Sequence, residues 1–100
     1  MEVEVKEING VLTGILTGRL DTAAAEKCTE GLKPLFDNAD KPLALDCKGL
    51  EFISSTGLRI LLSLLKSSSA RKGSLVIKNL SDDVKNVFKI TGFSKIFTME

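Results

Sequence analysis

Apolar and polar residues alternate through "EVEVKEI", with Val3 and Val5, and imperfectly Ile8, set against Glu2, Glu4 and Lys6. A period of two predicts a half-exposed strand. Asn9-Gly10 follows, the dipeptide that best suits a two-residue hairpin turn, and "VLTGILTG" predicts the returning strand. Asp21 then precedes "TAAAEKCTEGLKPLFDNA". A carboxylate at a helix start accepts the unpaired backbone N–H groups. Ala25, Cys28, Leu32, Leu35 and Phe36 recur at helical spacing, and Gly31 and Pro34 predict a kink or an early last turn.

A third strand is predicted over "KPLALDCKGL", with Leu43, Leu45 and Cys47 on one face. "EFISST" joins it to "GLRILLSLLKSSSARKG", where Leu58, Leu61, Leu62 and Leu65 follow the i, i+3, i+4, i+7 rule and Gly73 is the expected stop. Ser67 to Ser69 read as the exposed tail of that helix. "SLVIKNL" is a fourth strand, Ser81 or Asp82 caps "DVKNVFKI", and "TGFSKIFT" gives a turn and a short last strand.

The order is ββαβαβαβ, an α/β fold with a mixed β-sheet in which the alternating part uses parallel crossovers. Parallel strands place their carboxyl ends, where open α/β sheets carry their sites, on one edge. Asp21, Ser54, Ser55, Thr56 and the Ser81-Asp82-Asp83 cluster are therefore expected to share that edge.

Composition narrows the chemistry. The chain has 100 residues, the size of one domain, and a formal net charge of +1. No global field recruits nucleic acid or an anionic membrane, and the absence of Trp and Tyr weakens any base-stacking role. No apolar run approaches the length of a membrane span, and the acidic, alternating N-terminus is unlike a signal peptide, so a cytoplasmic location is expected. Cys28 and Cys47 form no CxxC and fall within apolar patterns, which predicts buried free thiols rather than a disulfide or a metal site. There is no histidine, so the commonest general base and every Ser-His-Asp arrangement are absent.

Three consecutive hydroxyls, Ser54, Ser55 and Thr56, then stand out. No Walker A lysine accompanies them, and no G-x-S-x-G elbow encloses Ser55. Two readings remain from the residues: a helix N-cap, which needs only one hydroxyl, and a phosphoacceptor beside the positive end of the following helix. Asp82 and Asp83 read equally as caps or as charges on a binding edge.

"LTGRLD" ending in Asp21, "LDCKGLEFISSTGLRILL" and "ITGFSKIF" together resemble the STAS domain of bacterial anti-sigma factor antagonists. That family carries G-x-[IL]-D at the end of its second strand, [DS]-S-[STA]-G-L at the start of a helix, and G-[FL]-x-K-[IL]-[FI] near its end. The resemblance covers nearly the whole of residues 1–100 and implies a single STAS domain, without the further C-terminal helix that many members carry. It implies that Ser55 is the phosphorylated residue and that Asp21, Ser54, Thr56, Gly57, Leu58 and Phe93 belong to the partner-binding surface. Ser54 stands where the best-known members have Asp. The implied mechanism is partner switching. The unphosphorylated protein, monomeric when free, binds an anti-sigma factor that is also a serine kinase; phosphorylation releases it, and a serine phosphatase resets it. No enzymatic activity, cofactor or metal is implied. The alternatives are a non-switching STAS scaffold, such as a transporter-associated subunit, and a nucleotide binder.

Overall fold

The computed structural model describes residues 1–100. Strand β1 (Glu2–Ile8) turns through Asn9 and Gly10, both at positive φ, into β2 (Val11–Leu20). Two left-handed residues in succession match the right-handed twist of the paired strands, which is why Asn-Gly is found there. A single 3₁₀ turn, Thr22–Ala24, leads to helix α1 (Ala25–Gly31) and then α2 (Lys33–Asp37). The predicted kink falls at Leu32, with Pro34 in the first turn of α2, where its missing N–H costs nothing. Strand β3 (Pro42–Ile53), helix α3 (Ser55–Ala70), strand β4 (Ser74–Lys78), helix α4 (Asp82–Ile90), a 3₁₀ turn at Phe93–Lys95 and strand β5 (Thr98–Met99) complete the chain.

The sheet runs β1-β2-β3-β4-β5, with β1 antiparallel to β2 and every later neighbour parallel. Helices α1, α2 and α3 touch one another and pack on the sheet, while α4 lies against β3. Between them sits one core. Leu16, Leu20, Leu45, Leu50 and Ile53 of β2 and β3 meet Cys28, Leu32 and Leu35 of α1 and the α2 region, Leu58, Leu61 and Leu64 of α3, and Val84 and Phe88 of α4. Burial of this apolar surface, at roughly 25 cal/mol per Å², is the main term holding the layers together.

Strand β3 is longer than its sequence pattern predicts. It pairs with β4 only over Pro42–Asp46 and then runs on, paired with β2, through Ile53. The β2–β3 ribbon is not a regular ladder over that length. Its two register irregularities, between Ile15 and Thr17 and between Gly18 and Arg19, each leave an extra residue on β3. Such bulges bend the strand that carries them.

Two other expectations are corrected. Helix α3 ends at Ala70 and the left-handed residue after it is Lys72, not Gly73. Gly73 answers a different need: a Cβ there would lie 2.0 Å from the Ala39 carbonyl oxygen, so only glycine lets the two backbones approach. The serine run is not uniformly exposed. Ser68 is 1% exposed, on the same stripe as Leu61 and Leu64, and its hydroxyl has no hydrogen-bond partner.

Candidate functional site

The ends of β2 and β3 are tied to each other before either chain turns into its helix. The Ser54 N–H donates to the Leu20 carbonyl at 2.9 Å, which places Asp21 beside the start of α3. Asp21 is extended (φ −95, ψ −178) and its Oδ1 accepts the Ala24 N–H at 2.9 Å, capping the 3₁₀ turn. Ser54 is extended in the same way (φ −90, ψ 171), and its Oγ accepts the Gly57 N–H at 3.1 Å, capping α3. Asp21 and Ser54 thus perform the same task on adjacent strands, each satisfying an amide that the helix cannot satisfy itself.

The hydroxyls of Thr22 and Thr56 approach to 3.5 Å and bridge the two capped turns. Ser55 is the first residue of α3, is exposed, and takes part in none of the hydrogen bonds that build this junction. The three hydroxyls therefore have three different situations: Ser54 is spent on the cap, Thr56 faces Thr22, and Ser55 points its free oxygen to solvent at the positive end of a 16-residue helix.

Beneath them Gly57 and Leu58 are buried. A Cβ on Gly57 would lie 2.6 Å from Leu20 Cγ and 2.9 Å from Ile53 Cγ1, so glycine is what lets α3 settle onto the strand ends. Neither residue reaches the surface. Of the residues expected at the partner-binding surface, these two form the floor on which the hydroxyls stand. Phe93 also turns inward in part. It is half-buried, its ring 6.2 Å from that of Phe97, and no hydrogen bond or ring contact joins it to Ser54–Thr56.

The three strand-to-helix junctions all follow the carboxyl ends of parallel strands, but the Ser81–Asp83 junction makes no direct contact with the other two. Ser81 caps α4 by accepting the Val84 N–H at 3.2 Å, and Asp82 and Asp83 are exposed in its first turn. Because β4 stops at the Lys78–Asp46 pairing while β3 continues to Ile53, this cluster leaves the sheet well before Ser54 does. No hydrogen bond or ion pair connects Asp82 or Asp83 to Asp21 or to the hydroxyls. The acidic residue that the backbone does bring to Ser54–Thr56 is Asp21.

Two neighbours had not been singled out from sequence. Thr22 is one; a hydroxyl directly after the capping Asp21 was the available signal. Arg19 is the other. Its guanidinium stacks 4.3 Å from the centre of the Phe52 ring, and an open groove of about 570 Å³ runs beside it, lined by Arg19, Asp21, Ala24, Lys27 and Glu51 among others.

The thiols are not candidates for chemistry. Cys28 and Cys47 are free and fully buried. Burial pushes the Cys28 thiol up to about 11; Cys47 is pushed up to about 12, by burial first and then by the Asp46 carboxylate and Cys28. A nucleophilic cysteine needs the opposite shift. Nowhere do three or more His, Cys, Asp or Glu side chains converge in a metal-binding group, and no helix is long and apolar enough to cross a membrane.

Comparison with known proteins agrees with this fold. The family model of the STAS domain matches residues 2–100, and the chain belongs to that family. BtrV of Bordetella bronchiseptica, which carries the name of an anti-sigma factor antagonist, is 35% identical over 97 residues, covering 97% of this chain and 84% of BtrV. The anti-sigma-B factor antagonist of Bacillus subtilis is 31% identical over 97 residues, covering 96% of this chain and 87% of that protein. The crystal structure of an anti-sigma factor antagonist from Mycobacterium paratuberculosis superposes with a TM-score of 0.86 at 20% identity, covering 98% of this chain and 83% of that one, which is a likeness of fold.

Proposed function

We propose that this chain is an anti-sigma factor antagonist that works in the cytoplasm by partner switching, with Ser55 as the switched residue and binding, rather than catalysis, as its activity. The observation that carries this reading is the division of labour at the junction. Ser54 holds the cap, so the Ser55 hydroxyl is exposed and free of structural duty. Modifying it costs the fold no hydrogen bond.

Unphosphorylated, the surface around Asp21, Ser54, Ser55 and Thr56 docks an anti-sigma factor that is also a serine kinase, and the sigma factor is released. The kinase then moves the γ-phosphoryl group of ATP onto Ser55. An Oγ–P bond forms, the bond between the γ-phosphorus and its bridging oxygen breaks, the hydroxyl proton leaves to the kinase, and ADP departs. The new group carries about −1.5 to −2 charges. The positive end of α3 tolerates it in the free protein. In the complex it is a dianion placed beside the Asp21 carboxylate within a docked surface, where desolvation and like-charge repulsion both oppose binding. A serine phosphatase removes it and restores the docking state.

The test is to incubate the purified chain with ATP and each kinase-type anti-sigma factor of its source genome, then map modification by mass spectrometry. A single phosphoryl group on Ser55, absent from Ser55→Ala, is expected. Modification elsewhere, or none with any kinase that binds the chain, overturns the switching mechanism.

A further inference from the structure

Arg19 is an exposed cation with no carboxylate. It is in none of the ion pairs of the structure, although Glu51 and Asp21 line the same groove. Its guanidinium instead lies over Phe52, the residue opposite it on the β2–β3 ladder. This pairing depends on a bulge: Gly18 pairs with Leu50 and Arg19 with Phe52, leaving Glu51 as the extra residue. Bulges re-aim side chains at the ends of strands. Here the effect is to bring an aromatic ring, rather than a glutamate, under the guanidinium.

The stack is also placed relative to the hydroxyls. In extended backbone, residues i and i+2 project to the same side. Arg19 is two residues before Asp21 and Phe52 two before Ser54, and both Asp21 and Ser54 are extended. The Arg19–Phe52 pair therefore adjoins the Asp21–Ser54 pair on one side of the ribbon. Asp21 turns its carboxylate to the Ala24 N–H, and Arg19 is exposed, its guanidinium stacked on Phe52 and unpaired with any carboxylate. A guanidinium fixed on an aromatic plane loses little freedom on binding and presents a fork matched to a carboxylate.

We propose that Arg19, held by Phe52, is a specificity-determining residue of the docking surface, and that it receives an acidic side chain of the anti-sigma factor. This inference rests on the partner-switching reading and adds the chemistry that the partner must present. Glu51 beside it weighs against that carboxylate, which gives the two neighbours opposite signs.

The experiment is calorimetric titration, at low and high salt, of the purified anti-sigma factor that binds the wild-type chain. Wild type, Arg19→Ala, Arg19→Lys, Arg19→Glu and Glu51→Gln are compared, with thermal melts as the folding control. Arg19→Ala is expected to weaken binding by about tenfold and to reduce its salt dependence. Arg19→Glu weakens it further. Arg19→Lys recovers little, because an ammonium does not reproduce a stacked fork. Glu51→Gln tightens binding. If the wild type binds and releases on Ser55 phosphorylation while the Arg19 variants bind as tightly as wild type, this inference is overturned and partner switching stands. If no anti-sigma factor of the source genome binds the wild type, both fall.

Discussion

The Ser54 hydroxyl accepts the Gly57 amide at 3.1 Å, and this one hydrogen bond sets the roles of the residues between them. With Ser54 committed to the cap, Ser55 becomes the first residue of α3 and Thr56 the second. The Asp that the best-known members of the family carry at the position of Ser54 could cap the helix equally well, since Asp and Ser are comparable at an N-cap. Ser54 therefore keeps the same architecture with one negative charge fewer beside Ser55 than an Asp would place there.

Capping makes the first prediction. Ser54→Ala should destabilise the protein by about 1 kcal/mol, and Ser54→Asp should leave stability near wild type. Urea unfolding of the three proteins measures this. Equal stability of Ser54→Ala and wild type would show that the cap is not the role of Ser54.

Gly57 makes the second. An added methyl group would meet Leu20 and Ile53, both core residues that are 0% and 2% exposed, so it has little room to relax. Gly57→Ala should cost about 1–3 kcal/mol, read as a lowered Tm, although the substitution favours helix propensity. A rise in Tm would mean that α3 does not sit as close to the strand ends as described.

The buried thiols make the third. A thiol whose pKa rises from 9.0 to about 11 or 12 on folding stays protonated in the native state while the unfolded chain ionises. Their contribution to stability is therefore complete below pH 9 and is lost as pH climbs from 9 to about 11 for Cys28 and to about 12 for Cys47, at about 1.4 kcal/mol per pH unit per thiol. Urea unfolding at pH 8 and pH 10.5 should show the wild type losing stability more steeply than a Cys28→Ala, Cys47→Ala double variant, which is less stable at pH 8 because its core is underpacked. Identical slopes would contradict burial of the thiols. The same burial predicts that neither cysteine reacts with a thiol reagent until the protein unfolds.

Much of this was legible from the chain, for reasons that differ by element. The hairpin was clear because Asn9-Gly10 demands two left-handed residues, and the helix over Leu58–Leu65 because its apolar stripe is uninterrupted. The end of β3 was not. Its buried residues Cys47, Leu50 and Ile53 fall three apart, since each bulge inserts a residue, and a pattern of threes does not look like a strand. The added length also means that β3 runs on alone with β2 beyond its last pairing with β4, so Ser54–Thr56 neighbour the end of β2 and Asp21 rather than the end of β4. The Arg19–Phe52 stack was hidden for the same reason, because the bulge at Glu51 decides which residue faces Arg19.

The most direct test compares two forms of one protein. Wild-type chain, unphosphorylated and homogeneously phosphorylated on Ser55, is titrated into the purified anti-sigma factor. A loss of affinity of at least about 100-fold on phosphorylation, corresponding to roughly 2.7 kcal/mol, is expected, with circular dichroism unchanged between the two forms. Equal affinities would contradict Ser55 as the switch.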